Sequence, residues 1–193
     1  MSLPLAFKTE VDTIPANVPY FNVPDDLIET WRARLGEGRI KIGLAWAGNP
    51  QFPKDHDRSV LLKNILPVCA VQGASFFSLQ KDLREGDRDV LGVNAHIVNL
   101  GSEVNDLRDT AAVMMSRDLV ISSDTSIVHL AGSLGRPIWV LLSANPDWRW
   151  LLDRNDSPWY PTAKSFRQKE SGDWRGVVEE LRAQLAKHLF LMV

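Results

Sequence analysis

From Arg39 onward the sequence repeats one pattern: a short apolar run, a polar loop, then a helical stretch. The runs are Ile40 to Trp46, Ser75 to Leu79, His96 to Leu100, Asp118 to Ser122 and Pro137 to Leu142. Those rich in Ile, Val and Leu are nearly continuous rather than alternating, which is what strands need when helices cover both faces of a sheet. The spacing predicts helices at about Ser59 to Val71, Asp106 to Ser116 and Thr125 to Leu134, with a weaker one near Asp82 to Val90. Pro67 is expected to break or kink the first. Right-handed crossovers then yield an α/β domain with a doubly wound parallel sheet, in which the first and fourth strands are neighbours at the switch point. A ligand is expected there.

With 193 residues, the chain suits one domain, or one domain with an appended segment. Apolar residues make up 45% and charged residues 24%, so disorder is excluded. The formal charge of -2 is scattered and offers no footprint for nucleic acid or an anionic membrane. Cys69 is the single cysteine, set in an apolar helical stretch where a buried, inert thiol is expected. The start of the chain shows neither a basic leader nor a signal-like apolar run, and no segment approaches the ~20 apolar residues that span a bilayer. A cytoplasmic protein is expected.

Residues 1–38 form a lead-in and linker helix ahead of the domain at 39–193. Pro4, Pro15, Pro19 and Pro24 keep the lead-in extended. Asp25 or Asp26 is expected to cap an amphipathic helix running to about Leu35, ended by Gly36 and Gly38. Residues 143–172 read as a long aromatic-rich connection carrying Trp148, Trp150 and Trp159, with one short strand at Ala163 to Arg167. A final amphipathic helix follows Asp173. Connections this long are usually functional or contact another element, and both segments are candidates to face a further domain.

The sharpest local signal is Leu119-Val-Ile-Ser-Ser-Asp-Thr-Ser-Ile-Val-His, a buried strand ending in hydroxyls and a carboxylate that open a helix. Free N–H groups and partial positive charge at such a helix start suit an anion, and a nucleotide diphosphate would fit. The competing reading makes Ser123 or Asp124 a plain N-cap, with Thr125 and Ser126 in the first turn. His129 lies further along the helix, where a hydrogen-bonded core histidine is the rival reading. The second signal is the loop after the first strand, Ala47-Gly-Asn-Pro-Gln-Phe-Pro-Lys-Asp-His-Asp-Arg-Ser. The switch-point rule sets it opposite Asp124, so Arg58 could clamp the same phosphates.

Other motifs fail on context. Gly43 to Gly48 has the glycine spacing of a phosphate-binding loop, but Asn49-Pro50 stands where Lys and Ser or Thr are needed. No G-x-G-x-x-G follows the first strand. Asp87-Arg-Asp89 resembles a metal-binding acidic pair, yet falls in a polar stretch and reads as solvated surface charge. Asp55-His56-Asp57 has ligand atoms but no partner cluster. Asp147-Trp-Arg-Trp150 and Ser157-Pro-Trp-Tyr160 offer aromatic faces for a sugar or a base, or for packing.

At Ser123-Asp-Thr-Ser-Ile-Val-His-Leu and Gly-Arg-Pro-Ile-Trp-Val the sequence resembles the C-terminal, donor-binding domain of the heptosyltransferase family of GT-B glycosyltransferases. The shared positions are Asp124, Thr125, His129, Leu130, Arg136 and Pro137. The flanking Thr13-Ile-Pro-Ala-Asn-Val-Pro-Tyr and Pro-Asp-Trp-Arg-Trp-Leu-Leu-Asp-Arg look like bacterial tetratricopeptide-repeat proteins that end in a glycosyltransferase-like region, distant relatives of the O-linked N-acetylglucosamine transferases. The resemblance implies a Rossmann-like half that binds a nucleotide sugar, with Thr125 and Ser126 at the helix start, Asp124 and His129 beside it, and Asn49 and Arg58 in the facing loop. Ser126 replaces a glycine common in the family, and Arg58 a lysine.

The leading expectation is therefore a metal-independent donor-binding domain, a fragment of a larger protein, with no cofactor. Its partners would be the nucleotide sugar and a missing N-terminal domain that binds a protein or glycan acceptor. A non-catalytic scaffold module and a sugar-epimerase-like enzyme are the alternatives.

Overall fold

Each apolar run becomes a strand because its alternate side chains meet a helix on either face. The computed structural model describes residues 3–36 and 39–191, so Gly38 lies outside the described residues. In chain order the elements are α1 (Leu3–Ala6), α2 (Asp25–Leu35), β1 (Ile40–Ala45), α3 (Asp55–Arg58), α4 (Leu62–Cys69), β2 (Ala74–Ser78), α5 (Asp87–Val93) and β3 (Ile97–Asn99). There follow α6 (Leu107–Met115), β4 (Leu119–Ser123), α7 (Ser126–Ser133), β5 (Ile138–Leu142), β6 (Ala163–Arg167) and α8 (Trp174–Phe190). Single 3-10 turns lie at Val11–Thr13 and Trp148–Trp150.

The six strands pair in the order β3-β2-β1-β4-β5-β6, every neighbour parallel. β1 and β4 are adjacent, with Leu44 opposite Ile121 and Ala45 opposite Ser122, as the crossover argument requires. Two cores lie on the two faces. Ile42, Leu44, Ile121, Leu141 and Phe166 pack under α4 and α8. Val120, Ile138, Val140 and Leu142 pack under α2, α6 and α7. The period of two along each strand thus becomes two cores rather than one buried and one wet face. The doubly wound, Rossmann-like α/β fold is the one expected from the sequence.

Several boundaries differ for local reasons. Asp25 and Asp26 are first-turn residues of α2 rather than its cap, which is Pro24; their charge still complements the helix N-terminus. The helix expected from Ser59 to Val71 is two, α3 and α4. Between them Ser59 to Leu61 is extended, and the Val60 N–H reaches the Trp46 carbonyl at 2.8 Å, which draws Val60 fully into the core. Pro67 neither breaks nor ends α4. It sits on the exposed face, where water can satisfy the Lys63 carbonyl that its missing N–H leaves free. The weaker helix begins at Asp87, because Gly86 before it takes a left-handed conformation at φ +82°. The last helix is capped by Asp173, whose carboxylate accepts from the Gly176 N–H at 2.9 Å. Its apolar face packs on the chain's own sheet.

Candidate functional site

At the carboxyl ends of β1 and β4 the chain departs in opposite directions. The β1 exit leads to α4 on one face of the sheet and the β4 exit to α7 on the other, and the divergence opens a crevice. This cleft, about 500 Å³, is lined by Asn49, Gln51, Arg58, Gln80, Thr125 and Ser126 among others. Four of the six residues singled out from the sequence, Asn49, Arg58, Thr125 and Ser126, therefore meet there. Asp124 and His129 do not line it.

Thr125 is the N-cap of α7, one residue later than the sequence pattern suggests, with extended backbone at φ −137° and ψ 179°. Its hydroxyl does not cap the helix and lies 3.3 Å from the Ser122 hydroxyl. The first N–H groups of α7, those of Ser126 and Ile127, have no carbonyl earlier in the helix to bond, and both residues border the cleft. Arg58 faces them. Its Nη1 donates to the Asp124 carbonyl at 3.0 Å, its Nε to Asp55 Oδ1 at 3.3 Å, and the guanidinium stacks 4.5 Å over the Phe52 ring. One side chain thus ties the two loops of the cleft together. Gly48 makes room for it: a Cβ there would come within 2.5 Å of Arg58 Nη2.

Asp124 meets a separate cluster of side chains formed by His129 of α7, Trp150 and Tyr160. Its carboxylate lies 3.9 Å from His129 Nε2, and His129 Nδ1 lies 3.0 Å from the Tyr160 hydroxyl. The Trp150 ring stacks on His129 at 6.1 Å between centroids. Tyr160 reaches this position over Gly132, where any Cβ would fall 2.4 Å from its ring. Burial pushes the Asp124 carboxyl up, against the pull of the Trp150 indole, His129 and Arg58. That indole N–H stands outside hydrogen-bond geometry and has no other partner among the described residues. Burial lowers His129 against the pull of Asp124, and drives the Tyr160 hydroxyl up to about 12. His129 is only partly buried, its side chain 39% exposed, and Tyr160 and Trp150 hold it in place.

No protein-family model matches the chain. Protein FlbA of Caulobacter vibrioides is 30% identical to it over 179 residues, which is 88% of this chain and 29% of that protein. The chain thus spans less than a third of the length of this curated relative. Among solved structures, the E. coli ADP-heptose LPS heptosyltransferase II superposes with a TM-score of 0.63 at 16% identity, over 91% of this chain and 56% of that one. A glycosyl transferase family 9 protein from Veillonella parvula gives 0.60 at 16% identity, over 90% and 54%. The chain shares its fold with both glycosyltransferases. At this identity the likeness is one of fold, and it covers about half of each neighbour.

Several further residues that shape the cleft are not legible in the sequence. Gln80, at the exit of β2, accepts from the Trp46 and Ala47 N–H groups at 3.1 and 3.0 Å and donates to the Ala47 carbonyl at 2.9 Å. It fixes the end of β1. Asp87 is not solvated surface charge: it is 6% exposed and accepts from the Trp46 indole at 3.0 Å and the Arg84 N–H at 2.9 Å. A periodicity argument cannot see this, because the partner Trp46 is 41 residues away. Asp55 is likewise buried, between Arg58 and Arg84. Its carboxylate is therefore taken up inside the protein. Among the described residues no three His, Cys, Asp or Glu side chains are placed to hold a metal ion. Nor is any described helix long and apolar enough to cross a membrane.

A larger cleft, about 660 Å³, opens at the opposite, amino end of the central strands, lined by Arg32, Lys41, Arg117, Asp118 and Arg136 among others. Its cations have a local cause. They gather at the carbonyl ends of α2 and α6, where Arg117 Nη1 lies 3.4 Å from the Ser116 carbonyl and Arg136 donates to the Arg117 carbonyl. Positive charge at helix C-termini is compensation for the helix dipole. Size alone does not make this the site.

Proposed function

We propose that the switch-point cleft holds the diphosphate of a nucleotide-sugar donor, and that the chain is the donor half of a metal-independent glycosyltransferase. The observation that carries the reading is convergence: the open N-terminus of α7, Arg58 and Asn49 border one cleft of about 500 Å³ in a fold shared with glycosyltransferases. Free N–H groups and a guanidinium at one place suit an oxyanion. When the glycosidic bond to the donor phosphate breaks, negative charge grows on the leaving diphosphate. Groups already oriented toward that charge stabilise it without reorganising. The acceptor and the general base would come from another domain of the same protein.

Calorimetric titration with uridine, guanosine, adenosine and thymidine diphosphates and their sugars tests this. One series is expected to bind at roughly micromolar to millimolar Kd, equally well with and without chelator. Silence from all of them at millimolar concentration overturns the reading, and binding that needs magnesium or manganese overturns its metal independence. A second reading, a binding module without turnover, draws support from Arg58, which already spends Nε and Nη1 on protein acceptors. Donor binding by the full-length protein without hydrolysis or transfer would favour it.

A further inference from the structure

We propose that Arg84, which does not line the cleft, sets the cleft's affinity for a diphosphate from behind by sharing the Asp55 carboxylate with Arg58. The inference rests on the donor-site reading above and assigns it a positioning residue. The Asp55 side chain is 4% exposed and lies between two guanidiniums. One oxygen, Oδ1, is 3.3 Å from Arg58 Nε and accepts from the Ser59 hydroxyl at 3.0 Å. The other, Oδ2, takes the closer contact, from Arg84 Nη2.

Arg84 is itself fixed. The same Nη2 lies 3.0 Å from the Ser59 hydroxyl and 3.4 Å from the Gly48 carbonyl. Its backbone N–H donates to Asp87, which also holds the Trp46 indole at the end of β1. Trp46, Gly48, Asp55, Ser59, Arg84 and Asp87 thus form one polar network with Arg58; it reaches the cleft wall at Gly48 and Arg58, and of its charged members Arg58 alone lines the cleft.

The electrostatics give the sign. Arg58 and Arg84 contribute two positive charges to the network, and Asp55 and Asp87 two negative ones. Without Arg84, the buried Asp55 carboxylate has Arg58 as its remaining cationic partner. It would draw the guanidinium toward itself and set an uncompensated negative charge behind the anion site. Both effects weaken anion binding, and charges a few ångströms apart in a partly buried setting interact strongly. Removing Asp55 acts the other way, because Arg84 is then left uncompensated. A merely structural network would weaken binding whichever member is lost.

The test is calorimetric titration of the 193-residue chain with inorganic pyrophosphate and with the four nucleoside diphosphates, with circular dichroism on each variant as the check of folding. Arg84→Met is expected to raise Kd about tenfold or more. Asp55→Asn should bind at least as tightly as the wild type, and the Asp55→Asn/Arg84→Met double variant should return to within about threefold of it. Equal binding by Arg84→Met and wild type, or Asp55→Asn as weak as Arg84→Met, overturns the inference while leaving the donor site standing. Failure of the wild type to bind any of these probes overturns both. Should Arg84→Met not fold, the Asp55→Asn and double variants decide the sign by themselves.

Discussion

Arg58 joins two loops and presents a guanidinium to the cleft. If the cleft holds a diphosphate, replacing Arg58 with Ala removes one charge-assisted contact worth about 1.5 to 3 kcal/mol, so Kd should rise by roughly one to two orders of magnitude in calorimetry. Cys69 is 5% exposed, and burial drives its thiol up to about 12. The native chain should therefore leave Ellman's reagent unreacted at neutral pH, with one equivalent released only on unfolding. His129 gives a pH signature with a definite sign. Burial lowers its folded pKa below the ordinary 6.5, so the unfolded chain binds more protons as pH falls below that value. The stability it confers is complete above about pH 6.5 and is lost on acidification toward the folded value. The thermal midpoint should drop between about pH 7.5 and about pH 5.5 by more in the wild type than in His129→Gln.

The elements record how far local signals reach. β6 falls at Ala163–Arg167, the stretch expected from its own residues, and the first five strands agree with their apolar runs to within one residue at every end. Burial on two faces demands a run of apolar side chains, and such a run is visible in one dimension. The helices were read less well where a tertiary contact intervenes, as at Val60, which leaves the helical path to enter the core beside Trp46. α8 shows the energetic side of the same packing. Val177, Val178, Leu181, Leu185 and Leu189 lie along one face and enter the core under the sheet. Leu185 is fully buried, and Leu185→Ala should lower the unfolding free energy by about 2 to 5 kcal/mol in denaturant titration.

The described residues form one parallel sheet of six strands, and the structures the chain resembles are nearly twice as long as the part it matches. If the cleft is a donor site, transfer still requires an acceptor aligned with the donor carbon and a group to take its proton. On that reading the chain by itself should show no transfer to protein or glycan acceptors. Robust transfer by these 193 residues would place a base and an acceptor site within them and end the half-enzyme reading.

The sequence by itself determined the strands, their parallel direction, the switch point between β1 and β4, and four residues that meet at the cleft. Each follows from a signal carried by neighbours in the chain: apolar continuity, loop length, hydroxyls and a carboxylate at a strand end. Only the tertiary structure decided that Asp124 and His129 meet Trp150 and Tyr160 instead of lining the cleft, that Asp55 and Asp87 are buried partners rather than solvated charge, and that Gln80 and Arg84 shape the cleft. A carboxylate is surface charge or buried anchor according to whether a cation or an N–H meets it. Those partners, Arg84 for Asp55 and Trp46 for Asp87, lie 29 and 41 residues away, where no local pattern can bring them together.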